Sequence, residues 1–455
     1  MTTSPSERLR TVRLGRATAV LACTAALALT AAGCTGSSNA GSKGSVGSAD
    51  KPVTITFWHG WSQPNELKAI NDNIAGFEKT HPNIHVKAVS AVSADTLNQG
   101  MRATGAAAPD VVSDFSTTDV GKFCSTGAFV DLGPMLKKDG IDPVKTFPKA
   151  MLGYTQYQGK QCSLPLLGDA YGLYYNKDMF KAAGIASPPK TFSELAADAV
   201  KLTKGDGSQQ IGYVPLYDYY EQNTGYIAAQ YGAKFFDANG KSDLATDPSF
   251  AAMFNFNKDL VNKLGGYAHL EKLRTGYGDE WTSNAFDKGK VAMQLDGEWR
   301  IANLTQDKVS FNWDTAPFPV PDDQVATYGK GYQTGTIIAI NRNSKQQAAA
   351  WEFTKYMTTD TNALVTFANA IDNVPSTFAA LASPDLKLPA AFKTFMDVAN
   401  NPNSQTQPAT ADGDGYVTTL QQLGIAVQSG KQTDIAAGLK AADKTIDNAL
   451  AQAQQ

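Results

Sequence analysis

The stretch from Val53 to Val89 constrains the fold most, because it changes its apolar period twice within forty residues. Val53, Ile55 and Phe57 point one way and Thr54 and Thr56 the other, the period of two of a half-buried strand. Trp58-His59-Gly60-Trp61 follows, and then a helix whose apolar stripe is Leu67, Ile70, Ile74 and Phe77. His81-Pro82 ends that helix, since proline cannot continue it, and a second strand runs from Ile84 to Val89. The unit is βαβ, the building block of parallel sheets.

The alternation continues. Ala108-Pro109-Asp110-Val111-Val112 reads as a short buried strand, and Tyr171 to Tyr175 as another. Thr191-Phe192-Ser193-Glu194 is a capping box that opens a helix with Leu195, Ala199 and Leu202 on its buried face. Asn239-Gly240 marks a hairpin turn. Val291 to Leu295 and Thr336 to Ile340 are later strands, and Thr433 to Ala451 is a helix aligning Ile435, Leu439, Ala442 and Ile446. With 455 residues, 42% of them hydrophobic, the chain exceeds what one core would use. Two α/β lobes are expected, with no repeat and no coiled-coil period.

The first 33 residues read as a secretory leader: Arg8, Arg10, Arg13 and Arg16 precede the apolar run 17–33, which is short for a membrane span. Ala31-Ala32-Gly33-Cys34 resembles the lipobox of bacterial lipoproteins, although Ala31 stands where that pattern prefers Leu. The resemblance implies a lipid on Cys34, a cleaved signal with an incidental Cys being the alternative. The Gly/Ser-rich residues 35–50 would then be a tether reaching roughly 22 Å. The formal charge is -3 overall; the leader contributes four Arg against Glu7, so the remainder carries about -6. A mildly acidic body without a basic block argues against nucleic acid as a partner. Cys124 and Cys162 remain in the exported body, where a disulfide is expected and two buried free thiols are the alternative.

Several segments together resemble the extracellular solute-binding proteins (family 1) of carbohydrate-uptake ABC transporters, the group that includes maltose-binding protein. Tyr171-Gly172-Leu173-Tyr174-Tyr175-Asn176-Lys177-Asp178-Met179-Phe180, then Ala183-Gly184-Ile185 and Pro188-Pro189-Lys190-Thr191-Phe192-Ser193-Glu194-Leu195, follow that family's pattern almost residue by residue. Phe286-Asp287-Lys288-Gly289-Lys290-Val291-Ala292-Met293 and Asp296-Gly297-Glu298-Trp299 match a second signature. Weaker echoes are Ala108 to Val112, Ala316-Pro317-Phe318-Pro319 and Ala349-Ala350-Trp351-Glu352-Phe353. The resemblance implies a two-lobed periplasmic-binding-protein-like α/β fold with the ligand cleft between lobes and a hinge of strand crossovers. It puts residues 51–166 and 318–372 in the N-terminal lobe, and 167–317 and 373–455 in the C-terminal lobe.

Sugar capture needs aromatic rings against the C–H face of a pyranose and carboxylates or amides against its hydroxyls. Such groups sit on loops at the carboxyl ends of strands in α/β lobes. On that ground Trp58, His59 and Trp61, after the first strand, are candidates, with Trp58 equally suited to plugging the core. The resemblance adds Asp114 and Phe115, with Ser116 beside them, and Asp169 and Tyr171 at a crossover. Tyr219 and Tyr220, between Asp218 and Glu221, would make a stacking shelf. Trp299 matches a family tryptophan that stacks on ligand, and Asp296 and Glu298 share its loop. Tyr332 and Gln333 lie in a Gly-rich stretch, and Asp414 and Tyr416 in Asp-Gly-Asp-Gly-Tyr. That last run fails the EF-hand pattern, because Tyr416 and Val417 take a ligand and a glycine position. Pro82 breaks the helix that would align His81 with His85, so no metal or cofactor is expected.

The expected function is a substrate-binding lipoprotein of an ABC importer, outside the cytoplasm and held to the cell membrane. It would be a monomer that takes a sugar or oligosaccharide by hinge closure and passes it to the permease subunits. No nucleophile elbow, Ser/His/Asp set or zinc motif points to an enzyme. A binder of a non-sugar solute such as a peptide or polyamine, and then a secreted glycosidase using Asp296 and Glu298, are the alternatives.

Overall fold

The computed structural model describes residues 44–280 and 283–454, so the leader, Cys34 and most of the tether lie outside the described residues. Nine strands form one sheet: β1 (Val53–Trp58), β2 (Ile84–Val89), β3 (Val111–Asp114), β4 (Leu164–Asn176), β5 (Ile211–Tyr213), β6 (Val291–Gly297), β7 (Trp313–Ala316), β8 (Gln333–Ile340) and β9 (Val374–Pro375). The order is β2-β1-β3-β8-β4-β6-β5, with β7 and β9 also pairing β4.

The pairing of β1 with β2 and β3 is parallel, as the βαβ reading requires, and the intervening helix spans Pro64–Thr80. Ile70, Ile74 and Phe77 on that helix are buried together with Ile55 and Phe57. The helix Phe192–Leu202 carries the anticipated capping box: Thr191 Oγ1 accepts from the Glu194 N–H, and the Glu194 carboxylate accepts from the Thr191 N–H. The C-terminal helix runs Ile435–Ala453 and buries Leu439, Ala442 and Ile446. Cys124 and Cys162 are disulfide-bonded, with Cα atoms 5.8 Å apart, and are buried in the same core as Phe123 and Tyr154.

β4 is the element that organises the rest. The sequence reading expects a strand over Tyr171–Tyr175, and the observed one has 13 residues. Residues 164–170 pair with β8, and Gly168 and Leu167 also face β9. Residues 171–176 pair instead with β6 and β7. The strand therefore changes neighbours near Ala170, between one core holding Ile55, Phe77, Ile338 and Phe353 and another holding Leu195, Phe254, Met293 and Leu420. Gly335 lets β8 approach there: a Cβ on it would lie 2.3 Å from the Leu167 carbonyl oxygen. Among the described residues no helix is long and apolar enough to cross a membrane, and no group of three or more His, Cys, Asp or Glu residues gathers as a metal site.

Candidate functional site

A cavity of about 350 Å³ opens where β4 changes neighbours, at the small end of the roughly 300–1,000 Å³ of ligand sites. Four aromatic side chains form its wall. The Tyr226 and Tyr332 rings are stacked with centroids 4.2 Å apart, Tyr171 lies 4.5 Å from Tyr226, and Trp299 meets Tyr171 edge-on at 5.4 Å. Phe115 stands at the mouth, 51% exposed, which an apolar ring in solvent does not favour. The backbone makes room for both outer rings: a Cβ on Gly60 would lie 2.5 Å from the Phe115 ring, and one on Gly297 would lie 2.3 Å from Trp299.

Polar groups complete the lining. Asp169 and Asp414 supply carboxylates, Asn223 and Gln407 amides, and Thr117 and Thr334 hydroxyls. Thr117 and Thr334 share a hydrogen bond of 3.0 Å, tying the loop after β3 to the start of β8. Tyr332 Oη donates to Gln407 Oε1 at 3.1 Å, and Tyr171 Oη donates to Glu221 Oε2 at 3.0 Å. Glu221 sits at φ 58°, a left-handed backbone that a non-glycine residue adopts only under constraint. Burial, with Asp296 nearby, pushes its carboxyl up to about 7.

Behind Asp169 lies a second buried carboxyl. Glu298 is fully buried; its Oε2 accepts from the Ala170 N–H at 2.9 Å, and its Oε1 has no ordinary donor. The Asp169 carboxyl faces it and accepts from Asn373 Nδ2 at 3.3 Å. Burial and then the like charge of Asp169 raise Glu298 well above the carboxylate range, and burial raises Asp169 to about 6. Two such neighbours share a proton rather than both ionise. Glu298 is thus a support for Asp169 and β4.

The structure brings Phe115, Asp169, Tyr171, Trp299, Tyr332 and Asp414 of the expected set to this cavity, with Ser116. The other expected residues sit elsewhere. Trp61 is buried edge-on between Phe115 and Phe367, and His59 is 1% exposed beside Phe57 and Trp61, where burial lowers its pKa to about 4 and keeps it neutral. Trp58 lies across Gly100. Asp114 is buried behind Phe115, accepts from the Ser116 N–H at 2.9 Å, and is raised to about 7 by burial. Asp296 is fully buried in an ion pair with Arg300 (2.8 Å), whose guanidinium also reaches Asp287 at 3.0 Å. Tyr220 lies over that guanidinium and accepts from Trp299 Nε1, while Tyr219 donates to Gln294. Gln333 donates to the Val398 carbonyl from the interior, and Tyr416 is a core ring packed on Phe235 and Phe236. Tyr226, Asn223, Thr117, Thr334 and Gln407 escaped the sequence reading, because single Tyr, Asn, Thr and Gln residues carry no motif.

Comparison with known proteins bears on the fold and the family. A protein of Brucella abortus (strain 2308) whose name says only that it binds is 28% identical over 214 residues, 46% of this chain and 50% of that protein, so the chain spans about half the length of that relative. The multiple sugar-binding protein of Streptococcus mutans is 26% identical over 339 residues, 70% of this chain and 74% of that one. Among solved structures, CpMnBP1 with mannotriose bound superposes with a TM-score of 0.71 at 26% identity, covering 86% of this chain and 99% of that one. The architecture is the two-lobed α/β fold of such binding proteins. The family of bacterial extracellular solute-binding proteins matches residues 60–364, two thirds of the chain, and the chain belongs to that family.

Proposed function

We propose that this chain captures a sugar or oligosaccharide outside the cytoplasm and delivers it to the permease of an ABC importer, held at the membrane by a lipid on Cys34. The observation that carries the reading is the cavity at the β4 switch. Tyr171, Tyr226, Tyr332, Trp299 and Phe115 offer flat apolar faces, and Asp169, Asp414, Asn223 and Gln407 offer acceptors and donors at their edge. Faces for C–H groups and a polar rim for hydroxyls are what a pyranose demands. The sugar-binding names among the relatives favour the same class.

The lobes are then 51–166 with 318–372 and 167–317 with 373–455, with the crossing in β4 lying near Ala170. Phe115, Thr117 and Thr334 come from one lobe and Tyr226, Trp299 and Asp414 from the other. A ligand touching both sets binds the closed form better than the open one, and that difference is what drives hinge closure. The protein acts by binding and needs no cofactor. Titration calorimetry with maltotriose and mannotriose, alongside a peptide and a polyamine, tests the reading. Heat from a sugar alone supports it, heat from a polyamine alone replaces it with a cation binder, and release of reducing ends would make the protein a glycosidase.

A further inference from the structure

A second cavity lies on the other side of residues 402–408 from the first. Gln407 of this segment lines the aromatic cavity, whereas Thr406 and Pro408 line the second one. The second cavity measures about 530 Å³. The helix Lys149–Gly153 forms one wall and the loop Ala233–Phe236 another, and Thr327 and Lys330 also line it.

The two cavities have opposite charge. The aromatic one is lined by Asp169 and Asp414 and by no Lys or Arg, and the second by Lys149, Lys234 and Lys330 and by no Asp or Glu. Lys330 is the unusual member. It is 4% exposed, and its Nζ donates to the neutral side-chain oxygen of Gln324 at 2.9 Å. Among the described residues none of the three ammonium groups makes an ion pair. Burial lowers the Lys330 pKa from its ordinary value, the mark of an ammonium lacking a counter-charge. A buried cation with one neutral acceptor is costly until an anion completes its shell. Lys149 and Lys234 are exposed at the rim, where they would draw an anion in.

We propose that this cavity binds a small solute carrying a phosphate or carboxylate, and that its occupancy changes how tightly the aromatic cavity holds sugar. The second half rests on the hinge reading above. The helix wall packs on β4 and β8, and the loop wall packs through Phe235 on Phe250 and Tyr416. Gly153 faces Thr406 across the gap, where a Cβ would come within 3.2 Å of the threonine methyl. Lobe rotation alters that gap, so an anion bridging Lys149, Lys330 and Lys234 favours one hinge angle. Linkage then requires the effect to be mutual.

The test is calorimetry of the purified protein with inorganic phosphate and with glucuronate, at constant ionic strength and with chloride and glucose as controls. Binding of phosphate alone would name a phosphate ligand, and of glucuronate a carboxylate one. The double variant K149Q/K234Q alters only exposed side chains, and K330Q, checked by thermal melting, removes the buried charge. Expected are saturable anion binding that weakens at least about tenfold in each variant, and a mannotriose affinity that shifts about fivefold or more with anion in the wild type. No anion heat at millimolar concentration, or equal anion affinity in wild type and both variants, would overturn the site. Anion binding without a shift in sugar affinity would overturn the coupling. Anion binding in a protein that takes no sugar would leave this site standing and remove the sugar reading instead.

Discussion

Replacing Arg300 with Met separates a structural role for Asp296 from a ligand-binding one. Arg300 is fully buried, 2.8 Å from Asp296 and 3.0 Å from Asp287, and its guanidinium lies 5.1 Å from the centre of the Tyr220 ring. Methionine fills much of the volume but removes the charge, leaving two carboxylates facing each other in the interior. Breaking one partner of a buried pair costs about 3–5 kcal/mol. At about 2–4 °C per kcal/mol for a lobe-sized unit, the melting temperature should fall by roughly 6–20 °C. The loss should also depend on pH. Burial already holds Asp287 up at about 6 while Arg300 pulls it down, and burial raises Asp296 against the same pull. Without Arg300 both carboxyls are raised further, so the folded variant binds more protons than the unfolded chain. Its stability therefore falls as pH rises through that window, and the gap to wild type is widest above neutral and narrows towards about pH 4. Differential scanning calorimetry across that range reads both effects. A variant melting within about 2 °C of wild type at neutral pH, or a gap that does not vary with pH, would refute the buried-pair argument.

The remaining expectations concern the cavity and the disulfide. Trp299→Ala should weaken sugar binding by about 2 kcal/mol, roughly thirtyfold, in calorimetry, the scale of a central aromatic anchor. An effect under about twofold would remove Trp299 from the site. Wild-type sugar affinity should fall as pH drops through about 6, where Asp169 takes up a proton and loses its charge as an acceptor. Asp169→Asn should flatten that profile, and an unchanged profile would mean another group titrates. Replacing Cys124 and Cys162 by Ser opens a link between residues 38 apart and should cost about 4 kcal/mol on loop entropy, measured by urea unfolding; a loss below about 1 kcal/mol would show that packing alone holds the two segments.

Much of the fold was legible because its signals are local. The alternation over Val53–Phe57, the Thr191–Glu194 capping box and the apolar stripe from Ile435 to Ile446 each report on neighbours within one element. The length of β4 was not, since its first half, Leu164-Pro165-Leu166-Leu167-Gly168, contains a proline and a glycine that argue against a strand. Only pairing with β8 and β9 holds those residues extended. The site was legible in part for a similar reason. Tyr171 and Trp299 stand inside recognisable segments, and Asp169 lies two residues before one. By contrast the burial of Asp296 beside Arg300, and of Tyr416 against Phe235 and Phe236, depends on residues that only the fold brings together. Trp61 shows this most plainly: an indole at the end of a strand suits a stacking platform, but here it packs edge-on against Phe115 and Phe367 and is buried.

Capture of a sugar by the cavity at the β4 switch is tested most directly by a thermal-shift screen of the purified protein. The panel would hold mono- and oligosaccharides with amino acids, peptides and polyamines as controls. At a thousandfold excess over its dissociation constant a true ligand adds about 4 kcal/mol of stability, several degrees on the melting curve. A shift of that size from one group of related sugars, lost in the Trp299→Ala variant, is the expected result. A flat response across every sugar, with a shift from a peptide or polyamine, would contradict it.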